Sequence, residues 1–206
     1  MTLKRRSGPV LQLISEGLKL WIRSRCDSIA ELQLQLHGSG LGLLQGKLEG
    51  VSLVARDAVF QGLPLQRVDL SSGPIQVSLS SGGVVLQQSF SIDGDVSMTG
   101  RGLNKALLAE PWRWLGDWLS EQLMGLSPLG GLTIDDDVLE LQAPVVAHKD
   151  PARRRFHLRA DQNTMVIVPI AGGGETLLPM DPGIRIESAS LKAGLLHLKG
   201  HADVKP

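Results

Sequence analysis

The chain reads as an α+β fold, mostly antiparallel strand with one or two amphipathic helices, and three observations predict it. After Asp27 the apolar residues recur with period two through segments parted by Gly-containing turns, as half-buried antiparallel strands require. A helical period appears instead in Pro9–Arg25 and again after Gly100. With 24 Gly and 11 Pro, three Phe and no Tyr, the chain has many turns and a core that Leu, Val and Ile must fill. Its 206 residues are expected to form one domain. The expected elements are a helix at about 9–25, strands at about 28–98, a Trp-rich helix at about 101–124 and strands at about 131–204.

Pro9–Arg25 carries Pro near its first turn, where a helix tolerates it. Val10, Leu11, Ile14, Leu18, Trp21 and Ile22 form a stripe opposed by Gln12, Glu16, Lys19 and Arg23. Such a helix docks either on the protein's own sheet or in a membrane interface, and both readings stand. Leu32 to Leu36 then alternates strictly with Gln, and His37 to Gly46 is a Gly-rich turn region. Val51 to Phe60 and Leu63 to Leu70 are strands joined at Gln61-Gly62. Ile75, Val77 and Leu79 face away from Gln76, Ser78 and Ser80, Gly82-Gly83 turns the chain, and Leu86 to Met98 forms a long strand. The expected arrangement is a meander.

The Trp-rich helix must kink or restart at Pro111, which has no N–H to give to a helix interior. From Trp112 to Leu123 the residues Trp112, Trp114, Leu115, Trp118, Leu119 and Leu123 cover about half the circumference. Arg113, Asp117, Ser120 and Glu121 hold the rest. So wide an apolar face covers a sheet as ordinary core, or lines a groove, or meets a membrane. Strands resume at Leu132–Ile134 and Val138–Leu141, continue over Arg155–Ile170 and close the chain at Ile184–Leu198. Val59–Leu63 and Leu191–Leu195 echo each other as strand–turn–strand units.

Charge excludes some functions. Twenty-one basic and 21 acidic residues cancel, so no global field draws nucleic acid. The runs Lys4-Arg5-Arg6, Arg153-Arg154-Arg155 and Asp135-Asp136-Asp137 read as solvated loops, the basic ones alternatively as headgroup or protein contacts. Cys26 is alone and forms no intrachain disulfide. No segment approaches the roughly 18 uninterrupted apolar residues of a membrane span. Glu16 and Lys19 interrupt Val10–Ile22 and no small-x-small site follows, so no signal peptide is expected.

Motifs of chemistry are sparse. Gly42 lies one residue too close to Gly46-Lys47 for a phosphate loop, and Leu48 lacks the hydroxyl that binds magnesium. Asp135–Asp137 lacks the alternation and terminal Glu of a calcium loop and suits a hairpin corner. His197 and His201 lie in a strand pattern with Gly200 between them, so no metal site is expected there. No Gly-x-Ser-x-Gly elbow occurs, and Cys26 has no local activating partner. Neither enzyme activity nor a cofactor is expected.

The succession VSLVARDAVFQGLPLQRVDL, GPIQVSLSSGG and FSIDGDVSMTGRGLNKALL, from Val51 to Leu108, resembles the LmeA-like family of phospholipid-binding proteins, including its cyanobacterial members. Gly94, Val96, Thr99, Leu103 and Asn104 match its strand-to-helix hallmark, and Gly102 stands where the family carries an acidic residue. The resemblance implies a long, highly curved antiparallel sheet wrapped on helices, similar to tubular lipid-binding domains, with an apolar groove for acyl chains and no catalytic residues. Secreted members carry a signal, so its expected absence here favours a cytoplasmic protein, peripheral to a membrane. The expected function is non-enzymatic binding, extending to transfer, of phospholipid or another long apolar molecule. Leu107, Trp114, Leu115, Trp118 and Leu119 are expected at the groove or its rim. Lys4, Arg5, Arg6, Arg153, Arg154 and Arg155 are expected against headgroups. A solid-cored scaffold domain is the alternative, and a hydrolase whose residues meet only in space is the third reading.

Overall fold

A computed structural model describes residues 9–80, 83–146 and 148–205, so Lys4, Arg5 and Arg6 lie outside the described residues. The chain opens with α1 (Pro9–Arg25), β1 (Ser28–His37), α2 (Gly40–Leu44), β2 (Lys47–Leu48) and β3 (Gly50–Phe60). There follow β4 (Leu63–Ser72), β5 (Ile75–Ser80), β6 (Gly83–Leu86), β7 (Phe90–Thr99), α3 (Gly100–Leu107) and α4 (Arg113–Met124). It ends with β8 (Gly131–Asp135), β9 (Val138–Ala143), β10 (Ala152–Asp161), β11 (Thr164–Pro169), β12 (Thr176–Leu177), β13 (Ile184–Lys192) and β14 (Leu195–Val204). The strands build three open sheets, in the orders β1-β3-β4-β7-β14-β13, β12-β11-β10-β9-β8 and β2-β5-β6. The fold is α+β, a curved and mostly antiparallel structure with few helices.

Period-two alternation becomes a continuous apolar face across the six-stranded sheet. Leu32, Ala55, Val68, Val96, Leu198 and Ala189 stand in one cross-strand row. The next row begins Leu34, Leu53, Leu70 and then runs into Gly94 opposite Gly200. A Cβ on Gly94 would stand 3.0 Å from Leu70 Cδ2, and one on Gly200 would overlap the Arg185 carbonyl. The register shifts beside them, between Ile186 and Ser188. Paired glycines next to a bulge let a sheet bend sharply without clashing side chains.

Three hairpins turn through residue pairs with both φ positive: Gln61-Gly62 (49° and 76°), Gln162-Asn163 (48° and 64°) and Ala193-Gly194 (52° and 76°). These are the primed turns whose twist suits antiparallel strands. The echo between Val59–Leu63 and Leu191–Leu195 is therefore shared turn chemistry. Asp136-Asp137 forms the corner between β8 and β9, with Asp136 at φ 52°.

Three expectations need correction. The meander is not one sheet, because β5 and β6 leave it and pair with β2. The Gly-rich region after His37 contains the short helix α2. The helix expected over 101–124 with a kink or restart at Pro111 does restart there, as α3 and α4, because Pro111 interrupts the hydrogen-bond ladder between them. Arg153–Arg155 is no loop but the start of β10, so the three side chains alternate between faces.

One large core cluster joins α3, α4, the five-stranded sheet and the β7–β14–β13 half of the large sheet. Leu141 and Phe156 are its most buried side chains, both at 0% exposure. Two small clusters serve the other half. Ala55, Ala58 and Val68 centre one, and Leu36 meets Leu18 of α1 in the other.

Candidate functional site

The helices that frame the site are fixed by their ends. Thr99 caps α3: its Oγ1 accepts the Gly102 N–H at 3.0 Å. A Cβ at position 102 would come within 2.9 Å of that oxygen and 3.3 Å of Pro64 Cβ, so glycine there leaves room for the cap. Asn104 Oδ1 accepts the Leu132 N–H at 2.7 Å and ties α3 to β8. Gly116 lets α4 cross α3 closely, since a Cβ there would overlap the Leu107 carbonyl. Asp117 Oδ1 accepts the Leu129 N–H at 3.0 Å, and Gly125 ends α4 in the left-handed region at φ 68°. Arg154 completes that end, donating to the Leu123 carbonyl at 2.6 Å and to the Gly172 carbonyl at 3.2 Å.

Between these helices and two sheets lies an apolar cavity of about 410 Å³, within the usual range for ligand pockets. Leu103 and Leu107 of α3 and Leu115 and Leu119 of α4 form one wall. Leu132, Ile134, Leu139, Leu158, Met165 and Ile167 form a second, and Leu63, Met98, Leu191, Leu196 and Leu198 a third. The stretch Leu178–Asp181 closes the remaining side. It follows β12, which pairs with β11 only at Val166–Leu177 and Ile167–Thr176. Lining residues that are also exposed mark the mouth: Trp114 at 58%, Ile184 at 40%, and Pro179 and Asp181. Asp181 is the cavity's one ionisable liner, and its Oδ1 is taken by the Gly183 N–H at 2.7 Å.

Leu107, Leu115 and Leu119 thus face the cavity and Trp114 stands at its mouth. Trp118 is half-buried against the same core but does not line the cavity. Trp112 lines it, with Nε1 donating to the Gln61 carbonyl at 2.8 Å. Ser120, expected on the polar side of α4, is fully buried instead, because that flank packs inward with Gly116 and Leu123. The three arginines of β10 do not form one surface. Arg153 and Arg155 are exposed, Arg153 standing 3.5 Å from Glu140, whereas Arg154 points inward onto α4. Sequence reading missed the wall residues of β8, β9, β11 and the Leu178–Asp181 stretch. Alternation marks them as inward-facing but says nothing about which strands leave a gap.

The Cys26 thiol has its pKa raised first by burial and then by the Asp27 carboxylate, which makes it a poorer nucleophile at neutral pH. Among the described residues no group of His, Cys, Asp or Glu is placed to hold a metal. No helix among them is long and apolar enough to cross a membrane.

The family model for LmeA-like phospholipid-binding proteins matches residues 7–201, nearly the full chain. No curated protein and no solved structure matches it. The chain belongs to the LmeA-like phospholipid-binding family.

Proposed function

We propose that this member of the LmeA-like family holds a phospholipid by burying acyl chain in the cavity while the headgroup stays outside the mouth. The observation that carries the reading is the lining: hydrocarbon on every wall, with its single carboxylate at the exposed lip. A polar substrate would find no partner inside, whereas an acyl chain gains about 0.8 kcal/mol per methylene buried. A cavity of about 410 Å³ is of a size that takes apolar ligands, and its apolar lining suits an acyl chain. Trp114 fits the lip, since an indole keeps its ring in hydrocarbon and its N–H at water. Binding with transfer between membranes, by a protein peripheral to them, is the function that fits this geometry, and no catalysis is assigned.

Native mass spectrometry of the purified protein, with organic extraction of what co-purifies, tests the reading. A stoichiometric phospholipid mass is expected. The wall variants Leu103→Trp and Leu198→Trp, checked for folding by circular dichroism, should lose it. A clean apo mass that stays unchanged after incubation with liposomes would overturn the proposal in favour of a scaffold domain.

A further inference from the structure

Three contacts bring separate elements to one end of the molecule. The Asp27 carboxylate, just past α1, accepts the Gly62 N–H at 2.8 Å in the β3–β4 turn. The neighbouring Gln61 carbonyl accepts Trp112 Nε1 at 2.8 Å, and a Cβ on Gly62 would meet Pro111 Cδ at 3.5 Å. The C-terminus of α1, this turn and the start of α4 are therefore adjacent, and the start of α4 carries Trp114, one of the four exposed residues that line the cavity mouth.

Every exposed Trp and Phe side chain among the described residues lies at this end: Trp21 at 55%, Phe60 at 41% and Trp114 at 58%. Leu20 stands beside Trp21 in the chain, at 69% exposure. Phe60 pairs directly across from Leu63, a cavity liner, and so shares its face of the sheet. Around Trp21 the charge is basic. Arg25 stacks with its Cζ 5.5 Å from the indole centroid, and Arg23 bonds the Ile29 carbonyl at 3.0 Å. No carboxylate among the described residues stands within ion-pair distance of either guanidinium. Asp27 is engaged with Gly62, and Glu110 is the acidic neighbour on the α4 side. Exposed aromatics flanked by arginine suit the boundary between lipid tails and phosphates, where rings are half-immersed and guanidinium groups meet anionic oxygens.

We propose that this end, formed by Leu20, Trp21, Phe60 and Trp114 with Arg23 and Arg25, is the surface that docks on a phospholipid bilayer, with the Trp114 lip of the mouth toward the membrane. The orientation rests on the cavity's holding lipid; the docking surface itself does not. Acyl chain then passes from the bilayer to the cavity past Trp114 without crossing water.

The test is co-sedimentation of the full chain with vesicles of equal parts phosphatidylcholine and phosphatidylglycerol. The double variant Trp21→Ser/Phe60→Ser changes exposed residues outside the cavity. It should lower partitioning at least about tenfold, equivalent to about 1.4 kcal/mol. The control Val146→Ser/Ile170→Ser, exposed apolar residues elsewhere, should leave it unchanged. Arg23→Glu/Arg25→Glu should weaken partitioning more on the mixed vesicles than on phosphatidylcholine alone. Unchanged partitioning of the aromatic variant, an equal loss in the control, or a wild type that ignores vesicles would each overturn the proposal. So would a change of oligomeric state in the aromatic variant by light scattering, which would assign the face to a second copy. Native mass spectrometry of the same samples separates the two claims. Lost docking with cargo retained supports both, and lost docking by a protein that never carries lipid keeps the surface and removes the cargo.

Discussion

The two helices that carry tryptophan are held in different ways. Around α4 the chain spends backbone and side-chain contacts at every corner: Gly116 on Leu107, Asp117 on Leu129, Arg154 on Leu123 and a left-handed glycine at the end. Helix α1 rests on β1 through Leu18, a 3.4 Å bond from Ser15 Oγ to the Leu34 carbonyl and the Arg23 contact, with Leu20 and Trp21 left in solvent. Similar apolar stripes thus belong to a core helix and to a helix riding on a sheet edge. What separates them is the closeness of approach that small and capping residues permit.

The largest expected effect breaks that contrast most directly. Leu123→Ala removes a side chain 3% exposed in the main cluster and should cost about 2–5 kcal/mol in urea unfolding. Leu18→Ala, half-buried in a small cluster, should cost about 1 kcal/mol or less, and equal losses would mean that α1 is as integral as α4. Glycines sharpen the comparison by sign. Gly116→Ala drives a methyl into the Leu107 carbonyl and should destabilise by about 1–3 kcal/mol or more. Gly17→Ala has open space around it inside α1 and should stabilise by about 0.5–1 kcal/mol. The smallest effect concerns Ser120, whose buried Oγ has no hydrogen-bond partner among the described residues. Ser120→Ala should raise the unfolding free energy slightly, by up to about 1 kcal/mol, and a loss instead would reveal a partner for that hydroxyl.

Strand positions were legible because burial on one face imposes alternation, and the turns at Gln61-Gly62 and Ala193-Gly194 announce themselves through glycine. Pro111 likewise declared the break between α3 and α4. The departure of β5 and β6 from the large sheet was not legible, since Ile75, Val77 and Leu79 alternate the same way whichever partner they pair with. Nor was the inward turn of Arg154 between two exposed arginines, because a basic run reports charge and not pleat. At the site, Leu115 and Leu119 could be found from the helical stripe. Met165, Leu178 and Ile184 could not, because the gap they share is made by how two sheets and two helices fail to close on one another.

That gap has a consequence for the life of the protein. A well-packed interior gains dispersion energy from every neighbour, and the walls of this cavity lack neighbours on one side. Whatever occupies it supplies the missing neighbours and shifts the folding balance by mass action. The loaded form is expected to melt at a higher temperature and to resist protease longer than the same protein stripped by organic extraction. If the cavity holds lipid as proposed, how long each molecule survives would then follow the supply of that lipid.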